Sequence, residues 1–132
     1  MKAILINADE RKITAVDAGA PNKSLERLRE LIGCEWVQPA IIGENLTLWL
    51  DEEGRLKLPK PGFSLKDIPT DFAGNGVLLG GDADRARACK ASPEVVALGV
   101  RWLAPRLGHV APPPRVLLPP VTQTSAQGEN RR

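Results

Sequence analysis

Apolar and polar positions follow two periods along this chain, and each change of period marks an element. Lys2-Ala3-Ile4-Leu5-Ile6 is a nearly continuous apolar run, which predicts a short strand buried on both faces. Asn7-Ala8-Asp9-Glu10 has turn composition. Arg11–Val16 then alternates, with Ile13 inward and Val16 the next candidate, so Met1–Gly19 reads as a β-hairpin. Leu25, Leu28, Leu31 and Ile32 recur at spacings of three and four, opposite Glu26, Arg27, Arg29 and Glu30. That is an amphipathic helix. Asn22 or Ser24 can cap its start, and Gly33 supplies a left-handed stop.

Trp36–Ile42 reads as a strand, placed at an edge or given a bulge because Pro39 cannot donate to a ladder. After the turn Gly43-Glu44-Asn45, Leu46, Leu48 and Leu50 share one strand face, while Thr47 and Trp49 share the other. Asp51–Gly54 is an acidic turn, and residues 55–58 are a short return strand. Residues 59–75 hold Pro59, Pro61 and Pro69 and read as a long loop. Gly76–Leu79 is another apolar strand, broken by Gly80-Gly81-Asp82-Ala83-Asp84. Ser92-Pro93-Glu94 is a strong helix start, and the helix is read over 92–103, with Val95, Val96, Gly99, Trp102 and Leu103 on one face and Pro105 ending it. Six of the twelve prolines follow Ala104. Residues 1–104 are therefore read as one domain and 105–132 as an extended or disordered proline-rich tail. Pro112-Pro113-Pro114 in it favours polyproline II geometry, and Val116-Leu117-Leu118 is an apolar anchor able to dock on this chain or another. The expected fold is a small two-layer α+β domain: a mainly antiparallel sheet of about five strands covered by one or two helices.

Composition narrows the classes. The chain has 132 residues, 42% hydrophobic and 26% charged, ordinary for one soluble globular domain. No apolar run reaches a membrane span, and the short run after Met1-Lys2 gives no reason to expect a secretory leader, so a cytoplasmic protein is expected. Cys34 and Cys89 cannot form a disulfide framework, and His109 is the single histidine. The net charge of +2 is too mild for a nucleic-acid binder and has the wrong sign for an acidic DNA mimic. It is unevenly spread: residues 1–58 carry eight basic and ten acidic residues, residues 59–132 ten and six. Arg85, Arg87, Lys90, Arg101, Arg106 and Arg115 gather the excess, as a solvated face or as an anion site.

Met1-Lys2-Ala3-Ile4-Leu5-Ile6-Asn7, Leu31-Ile32-Gly33-Cys34, Leu48-Trp49-Leu50-Asp51-Glu52-Glu53-Gly54 and Ala73-Gly74-Asn75-Gly76-Val77-Leu78-Leu79-Gly80 occur in that order. Over roughly residues 1–82 the chain resembles a family of small uncharacterised proteins common in bacteriophages and plasmids. The resemblance implies a small α+β domain encoded by mobile elements, with no catalytic activity to carry over. Residues 83–132 fall outside the shared pattern on this reading.

Candidate chemistry is sparse. Asp51-Glu52-Glu53 and Asp82-Ala83-Asp84 are the carboxylate clusters; polar turns explain them better than a metal site, so no metal, cofactor or catalytic residue is assigned. Gly74, Gly76, Gly80 and Gly81 match neither dinucleotide nor P-loop spacing, yet with Arg85 and Arg87 they could form an anion pocket. Cys89 lies near Arg87 and Lys90, but a nucleophile needs a base and His109 falls in the tail. Trp49, Phe63, Leu117 and Leu118 are the candidate protein-interface residues. The favoured expectation is a non-catalytic binding module of a mobile element that engages a host protein, in host takeover or anti-defence. A binder of a small anion, nucleotide or other phosphorylated molecule using residues 74–90 is the alternative, and a metal-dependent minor enzyme the third. Membrane and nucleic-acid partners are not expected, and a homodimer is allowed.

Overall fold

The computed structural model describes residues 1–54 and 60–105. Chain order is β1 (Lys2–Asn7), β2 (Lys12–Asp17), a 3-10 turn (Pro21–Lys23), α1 (Ser24–Ile32), β3 (Val37–Gly43), β4 (Leu46–Asp51), β5 (Gly62–Leu65), β6 (Asp71–Ala73), β7 (Gly76–Gly81), β8 (Ala86–Arg87), α2 (Pro93–Leu98) and β9 (Val100–Leu103). The main sheet runs β2-β1-β7-β4-β3, with β8 paired to the end of β7, and every pairing is antiparallel. The domain is α+β and mostly antiparallel sheet, as the alternation predicts.

The pleat of β7 explains the layering. Val77 and Leu79 point to one face, where Ala3 and Trp49 meet Leu28 and Ile32 of α1. Leu78 points to the other, with Ile4, Ile6, Leu48 and Leu50. Both faces of β7 are therefore covered and all six of its residues are buried, which is why it reads as an apolar run and not an alternation. The predicted faces of β4 are observed: the even leucines and Trp49 belong to opposite clusters. β3 is an edge strand with a register shift between Ile41 and Gly43, so both devices predicted from Pro39 are present.

Three expectations are corrected. First, residues 60–75 are not a loop: Gly62–Leu65 and Asp71–Ala73 are strands of a second, three-stranded sheet ordered β6-β5-β9. It packs Phe63 and Phe72, ring centroids 5.4 Å apart, on the Leu48 face of the main sheet. Gly62 makes this possible, because a Cβ there would collide with the Phe72 carbonyl oxygen. Second, α2 stops at Leu98, and the chain then alternates as a strand, with Val100 and Trp102 packed on the core and Arg101 exposed. A strand uses Trp102 because the free edge of β5 pairs with it, Phe63 opposite Trp102. Third, neither Asn22 nor Ser24 caps α1. The N-cap residue is Lys23 without a side-chain bond, and the Ser24 hydroxyl donates to the Pro21 carbonyl, 3.2 Å. The buried row is Ser24, Leu28 and Ile32, one turn apart, which leaves Leu25 exposed. The Gly33 stop is present at φ 83°, and Ser92 caps α2 by accepting the Val95 N–H. The return strand predicted at 55–58 lies outside the described residues, as does the chain beyond Pro105.

Candidate functional site

Where β7 ends, the sheet opens into a half-open groove of about 640 Å³. Its construction starts with two glycines. Gly80 and Gly81 continue β7, paired on one side with Leu46 of β4 and on the other with Arg87 and Ala86 of β8. A Cβ on Gly80 would lie 2.5 Å from the Ala88 carbonyl oxygen. Gly81 has φ +79°, and a Cβ there would collide with the Arg85 carbonyl oxygen. The 85–88 backbone thus crosses directly over both residues, and only glycine permits that approach.

Hydrogen bonds fix the surrounding walls. The Gly81 N–H donates to the Asn45 carbonyl, 3.0 Å, and the buried Thr47 hydroxyl donates to the Gly81 carbonyl, 2.8 Å. The Asp82 carboxylate accepts the N–H groups of Asp84 and Arg85, closing the 82–85 turn. The Cys89 N–H donates to the Lys2 carbonyl, 2.8 Å, tying the crossing segment to β1. One wall of the groove is the β3–β4 turn, with Glu44 and Asn45; the other is the 87–91 segment, with the exposed cations Arg87 and Lys90. Leu46, Ala91 and the buried Cys89 give the lining an aliphatic character.

The structure therefore brings together three of the six predicted ligand residues, Gly80, Gly81 and Arg87. Their glycines act by admitting the crossing backbone, and the Gly81 N–H is already occupied by Asn45. Gly76 sits at the other end of β7, opposite Leu50 and beneath Leu48 and Phe63. Gly74, at φ +82°, donates its N–H to Pro61 and joins β6 to the main sheet. Arg85 belongs to the 82–85 turn and does not line the groove. Lys90, one of the cations of the anion-site reading, also lines the groove, whereas Glu44 and Asn45 were missed as site residues, their only signal a turn composition at 43–45.

The predicted interface residues are corrected as well. Trp49 is 6% exposed beneath α1 and Phe63 is fully buried, so both are core residues and neither offers a docking surface. Leu117 and Leu118 lie outside the described residues. Among the described residues the exposed large apolar side chains are Leu25, Trp36, Ile41, Val95 and Leu98, with the Arg29 guanidinium 5.6 Å from the Trp36 ring centroid. Asp51, expected in a solvated hairpin tip, is buried and accepts the Glu53 N–H at 2.9 Å. Among the described residues no three His, Cys, Asp or Glu side chains converge as metal ligands, and no helix is long and apolar enough to cross a membrane.

The sequence model of the family described as Domain of unknown function (DUF3846) matches residues 1–103. The chain belongs to this family. No curated protein and no solved structure matches it. The DUF3846 match runs through β9, so residues 83–103, read from sequence as lying outside the shared pattern, fall within it. Both walls of the groove, from Glu44 to Ala91, lie inside the matched span.

Proposed function

We propose that this DUF3846 protein is a non-catalytic binding module, carried by phages and plasmids, which acts in the cytoplasm by engaging a host protein through the groove at the end of β7. The observation that carries the reading is the groove itself: an aliphatic lining with two exposed cations on one wall, of a size within the range of about 300–1,000 Å³ for ligand sites. Its position supports the reading too. Gly80 and Gly81 are buried in the main sheet and the crossing segment is bonded to β1 and β7, so the walls are preorganised and little ordering opposes binding. A phosphorylated small molecule is the second reading, favoured by Arg87 and Lys90 facing one acid, Glu44.

Photo-crosslinking in bacterial cells tests the proposal. A benzophenone side chain replaces Ala88, on the groove wall, or Thr14, exposed on β2. A discrete protein adduct from position 88 that disappears with Arg87→Glu, and none from position 14, is the expected result. No adduct at 88, or the same adducts from both positions, would reject the groove as the contact surface.

A further inference from the structure

Building on the groove as that contact surface, we infer that its occupant is an extended acidic segment of the partner protein, with carboxylates on Arg87 and Lys90 and a short aliphatic side chain against Leu46 and Ala91. Three features of the lining select this chemistry. Charge comes first: the 87–91 wall presents two exposed cations, each matched to a single carboxylate, and the facing Glu44 disfavours a multiply charged phosphate more than it disfavours separated single charges. Donors come second. Among the described residues the N–H groups of Lys90 and Ala91 have no acceptor, which leaves two backbone donors of this segment without a protein partner. Glu44 and Asn45 on the opposite wall supply side-chain acceptors, so a peptide backbone between the walls meets partners on both sides.

Shape is the third feature. Among the described residues no aromatic side chain lines the groove, so a nucleobase finds no stacking platform there. Leu46, Gly80, Ala88 and Ala91 make a lining of small and aliphatic groups, suited to a side chain the size of valine. The anionic part of the partner is thus recognised by Arg87 and Lys90, and its apolar part by the residues between the walls.

Titration calorimetry on the full chain decides it. The probes are a capped hexapeptide alternating glutamate and valine, its lysine–valine counterpart, inorganic phosphate and adenosine monophosphate. The glutamate peptide is expected to bind and the lysine peptide not, with affinity falling as salt rises. Arg87→Ala and Lys90→Ala are each expected to weaken it about tenfold, the loss of one charge-assisted hydrogen bond. Both side chains are exposed, so the variants should melt with the wild type. Equal binding of both peptides overturns the inference. So does tighter binding of either phosphate compound, which assigns the groove to a small anion. No binding by any probe also overturns the acidic segment, while the groove as a contact surface is decided separately by the cross-link at position 88.

Discussion

The two ends of β7 use glycine for different reasons. At its start, Gly76 makes room for side chains: an added Cβ would lie 3.0 Å from the tips of Leu48 and Phe63. At its end, Gly80 and Gly81 make room for backbone, the 85–88 segment that crosses above them and forms one wall of the groove. Side-chain tips can rotate or shift, whereas a crossing backbone held by hydrogen bonds cannot. One end of the strand is therefore ordinary core, and the other is a rigid support for the groove.

The sharpest way to break this comparison is a pair of substitutions. Gly81→Ala combines a left-handed φ with a collision against backbone, and about 3 kcal/mol or more of destabilisation is expected. Gly76→Ala overpacks flexible tips and should cost about 1–2 kcal/mol. Denaturant unfolding of the two variants measures both values. If Gly76→Ala proves the costlier, the rigid crossing at the groove end is wrong.

A smaller effect sharpens the same end. Thr47 ties β4 to the Gly81 carbonyl through a fully buried hydroxyl. Thr47→Val keeps the shape but leaves that carbonyl without the bond, so about 1–2 kcal/mol should be lost. Hydrogen exchange adds a local readout: the Gly81 amide, bonded to Asn45, should lose protection along with it. A variant as stable as wild type, with Gly81 still protected, would show that Thr47 does not hold this end.

The smallest effect belongs to the opposite edge of the sheet. The Gly19 N–H and then the Met1 ammonium, 2.8 and 3.0 Å from Asp17 Oδ1, hold this exposed carboxyl below its ordinary value. A carboxyl with a lowered folded-state value adds stability above its unfolded value, and that stability is lost as pH falls through the folded one. Melting temperatures of wild type and Asp17→Asn should therefore differ by a steady gap from neutral pH down to about 5 and converge as pH falls below the ordinary carboxyl value of 3.8. A gap that stays constant below that value would exclude Asp17 as its source.

Much of the fold was legible because local pattern and burial agree. The β1–β2 hairpin, α1 with its Gly33 stop, the faces of β4, the edge position of β3 and the cap of α2 all follow from spacing and special residues within one element. The second sheet was not legible. β5 and β6 are only four and three residues long, they lie among prolines, and β5 reaches its other partner, β9, far along the chain. Nor does the run from Val95 to Leu103 decide between helix and strand, since Val100 and Trp102 fit either period until Phe63 stands opposite Trp102. The same limit governed the site. Arg87 and the glycines were visible as residue types, but Glu44 and Asn45 join them only because β4 and β7 are paired.

By itself, then, the amino-acid order determined the α+β class and most elements of the main sheet, because these depend on neighbours along the chain. The tertiary structure alone decided that Trp49 and Phe63 are interior, that residues 62–73 and 100–103 form a sheet, and that Gly80 and Gly81 admit a crossing segment. Each of these depends on a contact between residues distant in sequence, where packing and backbone pairing outweigh local preference.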